Sequence, residues 1–447
     1  MRIWRGLCFL LCSVCACAQT VHTPVGTAAP TTSITLEQAI TMAQANEPVF
    51  AAAVAERRAL ALERTNAKTA LLPTVSYRNM AIYTRPNGVA ASRIGQTADA
   101  PAPAFIANNA VREYASQGVV DERIGLNQIA AIRVASAAAV RAEAEAEVAR
   151  RGLVAAVTGL YYGSQAATYK VDIVAEALTE ATRFLEITQK REAAREVAHA
   201  DVLKAQLQQQ QRERELADMK LAANKARLEL GVLLYADPGT AYTLEAAAVP
   251  AALPERAAVE TLARLNNPEL RSALAGVQAA QADTFAAKAA LAPDLALNYT
   301  YGIDATNFGV NGPDGIRNLG YSMSATLDVP VWDWLATERR IKASHLRAGA
   351  AKVFLTAAQR RLIADLQEMY DEAEVAAQQL RSLDASVLTA RESLRLTNLR
   401  YVDGESTALE VVDAQTSVIT AESAQVDGQV RYQTARAQLQ TLTGRLP

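Results

Sequence analysis

The sequence predicts a mainly α-helical fold that also carries a membrane β-barrel. It reads as two tandem repeats in one chain, each with two strands and long coiled-coil helices. Three observations predict this. A proline-bearing pattern occurs twice, since Pro48 to Pro268 and Pro73 to Pro293 are both steps of 220 residues. No proline lies between Pro103 and Pro238 or between Pro330 and Pro447, so two stretches of more than 110 residues lack the strongest helix breaker. Between the proline-marked segments and these stretches, apolar residues alternate with polar ones over lengths of about 10 residues, the pattern of a bilayer-crossing strand.

The duplication carries the most information. Asn46-Glu47-Pro48 leads to Ala70-Leu71-Leu72-Pro73, and Asn267-Pro268-Glu269 leads to Ala290-Leu291-Ala292-Pro293. Farther on, Asp201-Val202-Leu203-Lys204-Ala205-Gln206 is echoed by Glu410-Val411-Val412-Asp413-Ala414-Gln415, a step of 209 residues. A repeat of this length means that one structural unit recurs within the chain.

The N-terminus reads as a secretory leader over residues 1–18. Arg2 and Arg5 precede a short apolar run, and Ala16-Cys17-Ala18 fits a small-x-small cleavage site. Cleavage there makes Gln19 the first residue. A competing reading takes Val14-Cys15-Ala16-Cys17 as similar to a bacterial lipobox, with Cys17 as a lipid anchor. All four cysteines (Cys8, Cys12, Cys15 and Cys17) sit in this leader, so no disulfide framework, thiolate metal site or cysteine nucleophile is expected beyond it. The net charge of −2 gives no argument for nucleic acid.

A polar linker, residues 19–33, opens the remainder. The first repeat is expected over 34–235, with strands near 74–84 and 111–119 and a helix reversal near 194–199. Thr35 is its helix N-cap, and Pro48 suits a first turn, where a missing N–H is no loss. Val75, Tyr77, Ala81 and Tyr83 share one parity, with Asn79 an exception. A helix of about 100 Å is expected from about Asp121 to Arg191. A second linker covers 236–257, and the second repeat covers 258–447, with strands near 294–304 and 318–330 and a reversal near 402–407. Here Leu295, Leu297, Tyr299, Tyr301 and Ile303 alternate with Asp294, Ala296, Asn298, Thr300 and Gly302. Leu319, Tyr321, Met323, Ala325, Leu327 and Val329 alternate with Gly320, Ser322, Ser324, Thr326 and Asp328. The apolar parity is expected to face lipid and the polar one a lumen.

An open four-stranded sheet leaves backbone groups unpaired at its edges, so it cannot lie in a membrane alone. Two copies would give eight strands, which side chains largely fill. Three would give twelve, wide enough for a lumen.

These features resemble the outer membrane efflux protein family, the TolC-like trimeric exit ducts of Gram-negative bacteria. The resemblance is carried by Leu36-x-x-Ala39-Ile40-x-x-Ala43 before Asn46-Glu47-Pro48, and by Ala70-Leu71-Leu72-Pro73. It is carried also by Leu327-Asp328-Val329-Pro330-Val331-Trp332-Asp333, and by Tyr401-Val402-Asp403-Gly404 ahead of Leu409-Glu410-Val411-Val412-Asp413-Ala414-Gln415. It implies a homotrimer with a 12-stranded barrel in the outer membrane, surrounded by its lipid, and an α-helical barrel in the periplasm. It also implies docking to an inner-membrane pump through a periplasmic adaptor. The residues that would serve as periplasmic tip and pore mouth are Arg195, Glu196, Asp403, Gly404 and Glu405. The family tends to have Gly where this chain has Arg195, and Gly118 is taken as the first-repeat equivalent of Pro330.

No catalytic residue, cofactor or metal site is expected. The three histidines, His22, His199 and His345, are scattered, and the alternating Glu143, Glu145 and Glu147 read as a solvated helix face. Six of the fourteen tyrosines fall in the strands, as an interfacial girdle would require: Tyr77, Tyr83, Tyr114, Tyr299, Tyr301 and Tyr321. Trp332 and Trp334 flank a strand-to-helix junction. The alternative function is a periplasmic coiled-coil scaffold or adaptor without a pore, which would not need four amphipathic strands.

Overall fold

A computed structural model describes residues 33–84, 112–245, 252–312 and 315–443. The expected leader, with Cys17, lies outside the described residues.

Each half begins with a short helix and a 22-residue helix: α1 (Leu36–Asn46) and α2 (Pro48–Thr69), then α5 (Arg256–Asn266) and α6 (Pro268–Ala289). Their starts are set locally. Thr35 and Gln38 form a reciprocal capping box on α1. Glu47 and Asn267 cap α2 and α6, with Pro48 and Pro268 at the first helical position. Helix α5 starts at Arg256, so the second half opens slightly before residue 258.

Pro73 and Pro293 stop the longer helices, and strands follow: β2 (Thr74–Tyr83) and β3 (Arg112–Gly125), then β5 (Asp294–Ala305) and β6 (Leu319–Asp328). A two-residue pair, β1 (Ser33–Ile34) with β4 (Thr243–Leu244), was not anticipated by the strand pattern. The strands lead into α3 (Leu126–Ala193) and α7 (Ala336–Val402), of 68 and 67 residues. At 1.5 Å per residue each is about 100 Å long. Each reverses into a 36-residue helix, α4 (His199–Leu234) or α8 (Ala408–Thr443).

Two expectations need correction. The strand expected over 111–119 continues to Gly125, so the long helix starts at Leu126 rather than near Asp121. Asp121-Glu122-Arg123 is charged enough to pass for a helix start. Pairing with β5 holds it extended instead, because tertiary pairing overrides a weak local preference. Gly118 is also not the counterpart of Pro330. Thr74 lies opposite Asp121 as Asp294 lies opposite Asp328, which puts Arg123 at the place of Pro330.

The helices pack in a row: α2 on α3, α3 on α6, α6 on α7. The turn-forming helices α4 and α8 pack on α3 and α7. Small side chains allow close approach, with Ala39, Ala43, Ala205, Ala263 and Ala373 fully buried. Three clusters result. One joins β1, α1, α3 and α4 through Ile34, Val157, Tyr161 and Leu230. A second joins α5, α7 and α8 through Val259, Leu366 and Leu439. The third, near the reversals, holds Phe184, Tyr401 and Val411. The row is unfinished at both ends. Helix α2 buries no residue, and α7 leaves Leu346, Val353, Phe354 and Ile363 exposed.

Candidate functional site

The four long strands form one antiparallel sheet in the order β2-β3-β5-β6. Side chains directly opposite each other share a face, so the register assigns every residue. Tyr299 lies opposite Met323, Tyr301 opposite Tyr321, Leu297 opposite Ala325, and Leu295 opposite Leu327. Across β3, Val120 lies opposite both Tyr299 and Val75, and Gly118 opposite both Tyr301 and Tyr77. Tyr114 lies opposite Ala81 and Ala305, on the same parity, and Tyr83 follows Ala81 two residues on. All six strand tyrosines therefore share one face with Leu295, Leu297, Met323 and Leu327. Tyr299 and Tyr321 stack with centroids 6.3 Å apart.

Asn79, the exception in the sequence pattern, sits on this face as part of a closed polar group. Ser116 Oγ donates to Asn79 Oδ1 at 2.7 Å and lies 2.7 Å from the Tyr77 hydroxyl.

The opposite face is a hydrogen-bonded polar surface. Asn298 Nδ2 donates to Asp121 Oδ1 at 2.5 Å, Gln117 Nε2 donates to Asp304 Oδ2 at 3.2 Å, and Thr300 and Ser322 hydroxyls are 2.7 Å apart. The sheet thus has one tyrosine- and leucine-bearing face and one polar face. Among the described residues, both outer strands, β2 and β6, keep a free edge.

At the other end of the molecule the two reversals lie together. Arg195 and Gly404 both take left-handed backbone conformations, at φ 63° and 82°. Their preceding residues are also alike, with Ala194 at φ −77°, ψ −4° and Asp403 at φ −77°, ψ −3°. The Glu196 N–H donates to the Arg191 carbonyl at 2.9 Å, and the Glu405 N–H to the Arg400 carbonyl at 2.8 Å. Both helices therefore end in a Schellman-type cap. Arg191 ties the turns to each other. Its guanidinium pairs with Glu196 at 3.0 Å, donates to the Tyr401 carbonyl and sits 4.9 Å from the Tyr401 ring centroid. Phe184 and Thr188 pack on the same tyrosine from α3.

Arg195, Glu196, Asp403, Gly404 and Glu405 are all exposed, so the structure gathers the sequence-selected tip residues at one end. The acidic residues are not equivalent. Glu410 is consumed by the α8 cap, accepting from Thr407 Oγ1 at 3.2 Å. Glu405 lies 4.0 Å from Arg400.

Sequence reasoning missed a groove of about 300 Å³ between α3, α7 and α8, set several helical turns back from the reversals. Glu176, Glu180, Arg391, Gln415 and Glu422 line it. Arg391 pairs with the buried Glu422 at 2.6 Å, while Gln415 Oε1 is buried without a hydrogen-bond partner. The only sequence signal was the recurrence of Ala205-Gln206 as Ala414-Gln415.

Among the described residues, no group of three or more His, Cys, Asp or Glu side chains could hold a metal, and no helix is long and apolar enough to cross a membrane. Residues 260–445 match the family model described as outer membrane efflux protein. The second half of the chain is therefore similar to the outer membrane efflux protein family. It is 24% identical over 309 residues to outer membrane protein OprJ of Pseudomonas aeruginosa, spanning 66% of this chain but 62% of that protein. It is 30% identical over 183 residues to the pyoverdine export outer membrane protein OpmQ of Pseudomonas putida, spanning 40% of this chain and 36% of that one. The crystal structure of the Campylobacter jejuni CmeC outer membrane channel has the same fold, with a TM-score of 0.77 at 14% identity over 92% of this chain and 85% of that chain. The chain spans less than two thirds of the length of each of the two Pseudomonas relatives, 62% and 36%.

Proposed function

We propose that three copies of this chain close their sheets into a 12-stranded barrel, four strands from each, continued by an α-helical barrel in the periplasm. The assembly is a passive exit duct of a tripartite efflux or secretion system. The observation that carries this reading is the two-faced sheet with free edges on both sides. Unpaired strand edges cannot sit in hydrocarbon, and closure by further copies satisfies them. Leu295, Leu297, Tyr299, Tyr301, Tyr321, Met323 and Leu327 then face lipid, and the Asn298–Asp121 face lines the lumen. The exposed flanks of α2 and α7 meet between copies as α3 and α6 meet within one.

The gathered turns, with Arg195, Glu196, Asp403, Gly404 and Glu405, form the periplasmic mouth and the surface that a periplasmic adaptor reaches, coupling the duct to an inner-membrane pump. Converging carboxylates at a narrow opening raise local cation concentration. Cys17 remains a candidate second tether to the membrane.

Conductance of the purified protein in a planar bilayer, with its native mass in detergent, tests the duct. A trimer forming cation-preferring channels is expected, with the preference weakened by Asp403→Asn combined with Glu405→Gln. A monomer without channels would instead favour a periplasmic scaffold.

A further inference from the structure

The two halves of the chain meet along the β3–β5 seam, and that seam is a template for the contact between copies. Strand β3 ends the first half's pair of strands, and β5 begins the second half's pair. Strand β6 corresponds to β3, because Asp328 faces Asp294 as Asp121 faces Thr74. Strand β5 corresponds to β2 by the step of 220 residues that relates Asp294 to Thr74. The free edge of β6 should therefore meet a second copy's β2 as β3 meets β5.

We propose that β6 of one copy pairs antiparallel with β2 of the next in a single register, with Asp328 directly opposite Arg78. This rests on the trimeric duct proposed above and adds its residue pairing. The template pair is Asp121 opposite Asn298, whose equivalents are Asp328 and Arg78. Within the chain that pair is hydrogen-bonded at 2.5 Å. Between copies it becomes an ion pair on the same polar face.

Three independent features fit this register. First, Asp328 sits opposite Asp294 inside its own chain, and like charges directly opposite are unfavourable. A cation on the other side of β6 offsets that repulsion. Arg78 is exposed and lies opposite the neutral Gln117.

Second, Pro330 does not interrupt the seam. Residues of an antiparallel strand face their two neighbours alternately. The Asp304 N–H donates to the Asn318 carbonyl, so even-numbered residues of β5 face β6 and odd-numbered ones face β3. In β3 the even-numbered residues then face β5, and Arg123 faces away from it. Pro330 stands where Arg123 stands, so its missing N–H points back into its own chain.

Third, apolar residues meet on the lipid face. Val329 falls opposite Tyr77, Val331 opposite Val75 and Met323 opposite Tyr83, and all six are exposed in the single chain. A slip of one residue would put Asp328 on the face opposite to Arg78.

Paired cysteines test the register. Thr326 falls opposite Met80 as a non-hydrogen-bonded pair, equivalent to Val119 opposite Thr300. Such pairs bring Cα atoms to about 4.5 Å, within disulfide range. Thr326→Cys with Met80→Cys should link three copies into a covalent trimer on oxidation. Thr326→Cys with Arg78→Cys, or with Ile82→Cys, is two residues out of register and should stay monomeric on a denaturing gel. Native mass spectrometry of each variant separates the two claims. A trimer that links through an offset pair, or through none of the three, overturns the register and leaves the duct standing. A protein that is never trimeric overturns the duct itself. Charge reversal adds a second reading. Arg78→Asp should abolish the detergent-resistant trimer, and adding Asp328→Arg should restore it. Failure of the double variant to restore it, with the single variant disrupted, counts against the ion pair.

Discussion

The two halves of this chain match in helix length to within one residue, yet they solve the same two local problems differently. At the reversals, Gly404 in the second half meets a left-handed backbone without a Cβ, whereas Arg195 in the first half adopts it at φ 63°. A non-glycine residue there costs about 1–2 kcal/mol. At the strand-to-helix junctions the first half passes directly from Gly125 to Leu126. The second half inserts an exposed connector, residues 329–335, carrying Trp332 and Trp334, in which Trp334 and Leu335 are both left-handed. Gly125 has no room for a side chain, since a Cβ would lie 1.9 Å from Asp294 Oδ1 of the adjacent strand. The lesson is that equal element lengths conceal unequal surroundings. β3 is enclosed by strands on both sides, whereas β6 has a neighbour on one side only.

The largest expected effect tests whether the halves are equivalent in the sheet. Leu297 corresponds to Tyr77, and Asn298 to Arg78. Leu297→Arg and Tyr77→Arg should each cost about 2–4 kcal/mol if the tyrosine face meets lipid near the midplane. Asn298→Arg should be tolerated, because the first half already has an arginine there. Trimer yield in membranes after expression reads all three. Equal damage from Leu297→Arg and Asn298→Arg would break the assignment of faces.

The reversals give a smaller effect of opposite sign in the two halves. Gly404→Val should destabilise the tip by about 2 kcal/mol and abolish export while the barrel still assembles. Arg195→Gly should relieve up to about 1 kcal/mol. Thermal unfolding checks the signs, and an export assay checks the consequence. Unimpaired export by Gly404→Val would reduce this turn to a structural cap.

The smallest effect concerns a network anchored on α3 that joins the two halves. Glu147 bridges Arg150 and the buried Arg151, which also donates to the Thr441 carbonyl at 2.9 Å and so joins α3 to the end of α8. The Arg150 and Arg151 guanidiniums hold the Glu147 carboxyl below the ordinary glutamate value, against the opposing effect of burial. A depressed carboxylate contributes stability that is present above its unfolded-state value and is lost as pH falls through the folded one. Glu147→Gln should cost about 1 kcal/mol at neutral pH, discounted for its partial exposure, and the difference from wild type should vanish in acid. Unfolding midpoints at pH 7 and pH 3 compare the two. At the equivalent place in the second half stands Thr356, where Thr356→Val should give no such pH dependence.

Much of the architecture was legible in the residues themselves because it is local. Thr35 and Pro48 announce helix starts, Pro73 and Pro293 announce stops, and Gly404 announces a reversal, each through its own backbone preference. The parity of Leu295 through Ile303 announces a two-faced strand without reference to any partner. The tip residues could be chosen from the repeat, but their joining through Arg191 and Tyr401 could not, since those residues are 210 apart. The groove at Gln415 was likewise hidden, because three helices distant in sequence create it.

Helix starts and stops, strand periods and turn positions follow from backbone preferences and side-chain periodicity within a few residues, and the duplication is visible in the residues themselves. Only the tertiary structure decided that β3 extends to Gly125, that β3 and β5 join the halves, and that Asp328 lies opposite Asp294. Those outcomes depend on which strands become neighbours. Pairing of backbone groups between distant segments leaves no periodic mark on either one, so it can be read only after the chain has closed.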